Sequence, residues 1–168
     1  MQEYGRILLP VPNKLAVIIL NWRIINMDFK DQPFIPMLFG GDINTYSVAR
    51  AFYEEYQVKT YVFGKFPSGP SYNSNIIEYH ADLKIDTDDV FMKTVRDFAA
   101  AHADKTVLTI GCGDSYVALC SRHKDEMPKN VVAPYIDFEL MDRLQQKELF
   151  YRLCREHDID FPDTLVFR

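Results

Sequence analysis

Two glycine-containing segments are the parts of this 168-residue chain best suited to bind a ligand. The first reads Gly-Gly-Asp-Ile-Asn over residues 40–44, and the second reads Gly-Cys-Gly-Asp-Ser over residues 111–115. Each follows a short apolar run and precedes a segment with helical periodicity. Glycine lets a ligand approach the backbone, and free N–H groups at a helix start attract carboxylate or phosphate. We therefore expect a small acid to contact these residues: Gly40, Gly41, Asp42, Asn44, Gly111, Gly113, Asp114 and Ser115.

Other interpretations of the two loops stay open. For the first loop, the alternative is a sharp turn capped by Asp42. Residues 107–113 resemble the first motif of methyltransferases that use S-adenosylmethionine, although Thr109 stands where that motif has an acid and Ser115 replaces its third glycine. Cys112 precedes a helix start, a position that lowers the pKa of some thiols, but a buried apolar role is favoured. Neither loop has GxGxxG or GxSxG spacing.

Alternating strand and helix patterns surround the loops. Strands are predicted at residues 34–39, 58–63, 106–110 and 131–135, near either 76–77 or 83–85, and from residue 164 onward. Helices are predicted at residues 43–56, 86–102, 115–122 and 140–157, with a loop at 65–75 that is long enough to contact a ligand. This order predicts an α/β, Rossmann-like three-layer domain with a mostly parallel sheet. Ligands on such sheets bind beyond the carboxyl ends of the strands.

Composition excludes several classes of protein. Apolar residues make up 48% and aromatic residues 14%, which is typical of a folded core, and the net charge of −5 argues against nucleic-acid binding. Three cysteines and four scattered histidines predict neither a disulfide framework nor a metal site, and they favour a cytoplasmic protein. Asn21 and Arg23 interrupt the apolar run at residues 15–25, so no membrane span is expected. A homo-oligomer is included among the expected partners of the chain.

The first 33 residues are predicted to be an N-terminal extension of uncertain structure. Residues 27–30, Met-Asp-Phe-Lys, look like a natural protein start, so residues 1–26 are interpreted as an upstream extension. A strand or helix packed on the domain is the alternative for that segment.

The C-terminal segment carries a resemblance to a known superfamily. Lys147 lies on a predicted helix that leads into residues 158–164, Asp-Ile-Asp-Phe-Pro-Asp-Thr. Taken alone, Lys147 is a solvated lysine of an amphipathic helix. The segment resembles the junction of ATP-grasp ligases, in which a lysine precedes a helix and a phrase of the type Gly-Ile-Pro-x-Pro-x-Thr follows. Asp158 and Asp160 replace the usual glycine and first proline. The resemblance implies that Lys147 binds ATP phosphates.

Residues 35–52 are similar to the start of one branch of that superfamily, the carboxylate–amine ligases of the D-aspartate ligase type, which act on peptidoglycan precursors. The resemblance implies a pre-ATP-grasp domain at residues 34–142 and a truncated start of the ATP-grasp region at 143–168, with the ATP-grasp core missing. It further implies a small carboxylate or amino-acid substrate, and ATP and Mg²⁺ in the complete enzyme. No catalytic residue is predicted, and neither cofactor is expected to bind firmly to this chain alone.

A second hypothesis comes from a different class of protein. The same two loops would suit a stand-alone Rossmann-like module that binds a small anion or a nucleotide. Binding of ATP, amino acids or S-adenosylmethionine distinguishes the hypotheses.

Overall fold

Strand β1 (Phe34–Phe39) lies at the centre of a five-stranded sheet. The computed structural model describes residues 28–165, so the interpretations made for residues 1–26 and for the end of the last predicted strand lie outside it. The other strands are β2 (Thr60–Gly64), β3 (Ile77–Ala81), β4 (Thr106–Gly111) and β5 (Val131–Val132). Their order is β3-β2-β1-β4-β5, and every strand pairing is parallel. The predicted α/β class and parallel sheet are confirmed.

Helices cover both faces of this sheet. In chain order they are α1 (Ile43–Tyr56), α2 (Gly69–Tyr72), α3 (Asp88–Ala101), α4 (Asp114–Arg122), α5 (Phe138–Gln145) and α6 (Lys147–Glu156). Alternate residues of a strand point to opposite faces. Met37 and Phe39 therefore join the core formed with α3 and α4, whereas Leu38 joins the core formed with α1 through Ala49. No helix within residues 28–165 has both the length and the apolar content needed to cross a membrane.

The C-terminal helical segment differs from the prediction. The helix predicted at residues 140–157 is two helices, because Gln146 has an extended backbone (ψ 108°) that ends α5 and begins α6. The break folds α6 back onto α5 and buries Cys154, which a straight helix would carry away from the domain. The predicted boundary between residues 142 and 143 falls within α5, and the division into domains stays a prediction.

Smaller differences have local causes. The strand predicted at 131–135 ends at Val132, because Pro134 has no N–H to donate to a neighbouring strand. The loop predicted at 65–75 contains the one-turn helix α2, which begins with Pro70 in its first turn. The strand at 58–63 lies at 60–64 instead. Thr164 and Leu165 are not in a strand.

A charged cluster joins the start of α3 to the end of α4. Asp88 Oδ1 accepts hydrogen bonds of 2.7 Å from Arg122 Nη1 and from the ring of His123, whose other ring nitrogen lies 3.1 Å from Glu126. The bonds from Arg122 and His123 hold the pKa of Asp88 below its ordinary value of 3.8. A carboxylate with a lowered folded-state pKa stabilises the fold above its unfolded pKa, and that contribution disappears as pH falls through the folded value.

Asp88→Asn is therefore expected to destabilise the protein at neutral pH and to have no effect in strong acid. We expect a loss of at most about 1 kcal/mol, because half-exposed ion pairs are screened by solvent. The measurement is urea unfolding between pH 2 and 7. Asp89→Asn is the matched control, because Asp89 shares the first turn of α3. Equal effects of both substitutions, or a difference that does not shrink as pH falls towards 2, would contradict the assignment.

Candidate functional site

A cleft of about 570 Å³ opens at the carboxyl ends of β1, β2 and β4. The chain leaves β1 towards α1 on one face of the sheet and leaves β4 towards α4 on the other face. The strand order reverses between these neighbours, and this is where doubly wound sheets bind ligands. The cleft is lined by Gly40, Gly41, Asp42, Ile43, Lys65, Phe66, Ser68, Gly69, Pro70, Tyr79, Cys112, Gly113, Ser115 and Tyr116.

The structure brings the two predicted glycine loops together in this cleft. From the first loop, Gly40, Gly41 and Asp42 line it, and from the second loop, Gly113 and Ser115 line it. The remaining predicted residues, Asn44, Gly111, Asp114 and Lys147, do not line it. The structure shows where all nine residues lie, and their ligand contacts stay predictions.

The N-terminus of α1 is capped by its own chain. The Asp42 carboxylate accepts bonds of 3.1 Å from the backbone N–H groups of Asn44 and Thr45 and from the Thr45 hydroxyl. The Asn44 side chain donates to the other carboxylate oxygen at 3.2 Å. These donors are the ones that would otherwise attract an anion. The first loop thus matches the alternative interpretation of a turn with an aspartate cap.

The N-terminus of α4 is arranged differently. Gly113 is its N-cap residue and supplies no capping side chain, and its carbonyl oxygen accepts the N–H groups of Tyr116 and Val117 at 2.9 Å. The backbone N–H groups of Asp114 and Ser115, which begin the helix, therefore receive no bond from an N-cap side chain. The second loop is the one whose backbone suits an acidic ligand.

Two glycines shape the floor of the cleft through packing. Gly40 has φ +148°, which side-chain-bearing residues rarely adopt, and a Cβ there would overlap the Thr45 hydroxyl. A Cβ at Gly111 would lie 2.6 Å from the backbone of Tyr116 and Val117, so this glycine lets the first turn of α4 pack on the end of β4. The Gly111 N–H donates to the Tyr135 hydroxyl at 2.7 Å. Gly111 is a packing residue in this arrangement.

Lys65 is a cation in the cleft that the sequence prediction did not single out. Lys65 follows β2, lines the cleft and bonds to Asp86 Oδ2 at 2.7 Å. Its side chain remains 38% exposed, so the ammonium group can also face a ligand. Lys65 lies in the segment that was predicted to be a ligand-contacting loop, but no periodic pattern singles it out. The signal that the sequence offers for Lys65 is its position directly after the buried strand β2.

Aromatic side chains make the walls of the cleft apolar. The Tyr79 hydroxyl donates to the Phe66 carbonyl at 2.8 Å, which holds the loop after β2 against β3. Burial raises the pKa of Tyr116 to about 12, with smaller effects from Asp86 and Tyr79. Burial also raises the pKa of the Cys112 thiol to about 11. Cys112 is thus a buried, protonated thiol, as the favoured interpretation predicted.

Lys147 lies at the corner between α5 and α6. It is the first residue of α6 and is exposed. Two residues earlier, the Gln145 side chain donates to the Asp114 carbonyl at 3.0 Å. This bond ties the end of α5 to the second glycine loop.

Asp42 is the one carboxylate among the described residues that line the cleft. Carboxylate oxygens are the protein ligands that Mg²⁺ prefers. Within residues 28–165, no group of three or more His, Cys, Asp or Glu side chains converges as metal ligands. In the cleft, the Asp42 carboxylate is already used as a helix cap.

Comparison with known proteins supports the predicted resemblance. The chain is 37% identical over 142 residues to D-aspartate ligase from Enterococcus faecium (strain Aus0004). The match takes in 83% of this chain, which spans about a third (34%) of the length of that ligase. The predicted relationship to ligases of the D-aspartate ligase type is confirmed. No family model and no solved structure matches the chain.

A pair of glycine substitutions tests the packing role of Gly111. Gly111→Ala is expected to lower the free energy of unfolding by about 1–3 kcal/mol, because its methyl group overlaps the backbone of α4. Gly113→Ala is the matched control, since the nearest atom to its Cβ is a Tyr116 ring carbon at 4.0 Å. We expect it to cost about 1 kcal/mol or less, from the poorer N-cap. Chemical unfolding measures both, and equal losses would refute the packing role of Gly111.

Proposed function

We propose that this chain is the N-terminal, substrate-cleft domain of an ATP-dependent carboxylate–amine ligase of the ATP-grasp type, related to amino-acid or peptidoglycan-precursor chemistry. The observation that carries the proposal is the 37% identity to a D-aspartate ligase. Because the matched stretch is 83% of the chain, it includes both glycine loops wherever it begins. The proposal thus concerns the cleft itself as well as the overall fold.

The cleft has one region suited to a carboxylate. The uncapped N-terminus of α4 offers backbone N–H groups and the positive end of the helix dipole. Lys65, which is paired with Asp86 and remains 38% exposed, adds an ammonium group to the same cleft. We propose that these groups hold the carboxylate substrate and fix its orientation, while the rings of Phe66, Tyr79 and Tyr116 exclude water from it.

ATP and Mg²⁺ belong to the complete enzyme in this proposal, where phosphoryl transfer would activate the carboxylate for attack by an amine. Lys147 is proposed as a contact for the ATP phosphates, supported by the bond that ties the neighbouring corner to the second glycine loop. The remaining nucleotide-binding groups are expected from an ATP-grasp domain that docks on this one. We therefore expect this chain to be inactive alone.

The mouth of the cleft supports such docking. The apolar side chains of Ile43 and Phe66 are 60% and 58% exposed there. Apolar surface beside a polar cleft is typical of interaction sites. A cytoplasmic location is part of the proposal, and three buried cysteine thiols without disulfides support it.

The second candidate is a stand-alone module that binds a small anion. One observation favours it: residues 28–165 by themselves form the whole five-stranded sheet and both of its cores. In that case the cleft would bind its ligand without any further domain.

Binding by this chain tests the proposed function. We expect D-aspartate or a related amino acid to shift the backbone amide NMR signals of Asp114 and Ser115, because the carboxylate accepts their N–H groups. No hydrolysis of ATP by the chain alone is expected. Shifts at these amides with inorganic phosphate but not with amino acids would favour the stand-alone module. Shifts with S-adenosylmethionine alone would favour the methyltransferase.

Substitution of the cleft cation is a separate test. Lys65→Gln is expected to weaken amino-acid binding about tenfold, which corresponds to the loss of one charged contact. Lys93→Gln is the matched control, because Lys93 is an exposed lysine of α3, paired with Asp97 outside the cleft. Titration followed by NMR gives both affinities. Equal affinities of the two variants would show that Lys65 does not contact the ligand.

A further inference from the structure

Strand β3 has a free edge in the part of the chain that the structure describes. It pairs with β2 on one side, and no other described strand lies on its outer side. The other edge strand, β5, has only two residues, and short edge strands resist pairing with other chains. By contrast, β3 has five residues, Ile-Glu-Tyr-His-Ala, with no proline or lysine to block pairing. This edge is a template for an additional strand.

The hydrogen bonds of β3 show which backbone groups point outward. The Ile76 carbonyl accepts from Thr60 N–H at 3.1 Å, and the Asp82 N–H donates to the Gly64 carbonyl at 2.9 Å. The even-numbered residues thus face β2, so Ile77, Tyr79 and Ala81 direct their backbone groups to the free edge.

One of the outward groups already has a partner within the chain. The Ile77 N–H donates to the Ser74 carbonyl at 3.3 Å. The Tyr79 and Ala81 N–H groups remain for an added strand, together with the carbonyl oxygens of all three outward residues. An added strand must therefore align its own outward-facing backbone groups with Ile77, Tyr79 and Ala81, which restricts its register.

We propose that the free edge of β3 pairs with β3 of a second copy of this chain, antiparallel, about a two-fold axis at Tyr79. In this register Tyr79 faces Tyr79, and Ala81 faces Ile77 of the other copy. Each chain then donates two hydrogen bonds, from Tyr79 N–H to the Tyr79 carbonyl and from Ala81 N–H to the Ile77 carbonyl of the other copy. The dimer has one continuous sheet built from both five-stranded sheets.

Charge complementarity supports a second copy as the occupant of the edge. In the same register Glu78 of each chain lies directly opposite His80 of the other, as a non-hydrogen-bonded pair whose side chains are close. Within one chain His80 Nε2 already lies 3.5 Å from Glu78 Oε1, a pair that is ionic when His80 is protonated, and Lys59 Nζ lies 3.6 Å from Glu78 Oε2. The two-fold axis therefore builds an alternating cluster of two carboxylates and two imidazoles, so the edge is complementary to itself.

The surroundings of the edge add apolar area to the interface. Tyr72 and Leu83 flank β3 and are 48% and 65% exposed. On the face that carries Glu78 and His80, a groove of about 460 Å³ runs between the sheet and α3, with the rings of Tyr61, Phe63 and Phe98 in its wall. This surface continues up to the proposed interface. The proposal of this dimer does not rest on the proposed ligase function.

A charge swap tests the proposal on the full 168-residue chain. Sedimentation equilibrium is expected to show a dimer for the native chain. His80→Glu places Glu opposite Glu twice, and should weaken dimerisation at least about tenfold. The double variant Glu78→His with His80→Glu restores opposite pairs with unchanged composition, and should return to within about threefold of the native affinity. A monomeric native chain, or a swap variant as weak as His80→Glu, would overturn the proposal.

A backbone measurement keeps the test independent of side-chain effects on folding. In the dimer, the amide hydrogens of Tyr79 and Ala81 should exchange more slowly as protein concentration rises. Ala81→Pro removes one of these donors without affecting the pairing with β2, because the Ala81 N–H faces outward and edge strands accept proline there. We expect this variant to be folded by circular dichroism and monomeric. A dimer that persists in Ala81→Pro, or exchange at Tyr79 that is independent of concentration, would place the interface elsewhere.

Discussion

The reversal of strand order between β1 and β4 is the constraint on which the rest of the structure depends. These two strands pair along their whole length, from Phe34 opposite Thr106 to Phe39 opposite Gly111. The chain then leaves them towards opposite faces, because α1 packs in one core and α4 in the other. The loops after the two strands must separate, and the cleft is the space between them. The reversal also leaves β3 and β5 as the edges of the sheet, so the same topology sets the site and the surface available for pairing.

The two helix starts at the cleft give it a direction. At α1 the Asp42 carboxylate accepts the first free N–H groups of the helix, and it adds a negative charge to the α1 side of the cleft. At α4 no N-cap side chain bonds the N–H groups, although Asp114 places a carboxylate in the first turn, and Lys65, paired with Asp86, supplies an ammonium group from the loop after β2. The α4 side therefore offers backbone N–H groups and the positive end of a helix dipole, whereas the α1 side presents the Asp42 carboxylate. The two loops look alike in sequence but differ in electrostatics. Only the first is followed by residues, Asn44 and Thr45, whose backbone N–H groups donate to the aspartate of the loop.

Much of the fold could be predicted because its signals are local. The buried run of β1 and the apolar periodicity of α1 and α3 identify these elements without reference to the rest of the chain. The break at Gln146 could not be predicted, because it depends on how α6 packs against α5. The pairing of Lys65 with Asp86 joins residues 21 positions apart, and it becomes visible only when β3 brings the chain back. The sequence predicts that both glycine loops follow strands, but the packing role of Gly111 becomes visible only from the positions of neighbouring backbone atoms.

Tyr79 connects the cleft with the free edge of the sheet. Its side chain lies over the first glycine loop, close to Gly41 and Gly64, while its backbone N–H points outward from β3. A second strand at this edge would restrict the backbone of Tyr79 and, through its bond to the Phe66 carbonyl, the loop that carries Lys65. Pairing at the edge would then reduce the freedom of the cleft wall before a ligand arrives, and a wall that is ordered in advance costs less entropy on binding. The apolar residues at the mouth, Ile43 and Phe66, do not belong to the strand that pairs. Assembly at β3 and docking of a further domain over the cleft would therefore use different elements of this fold.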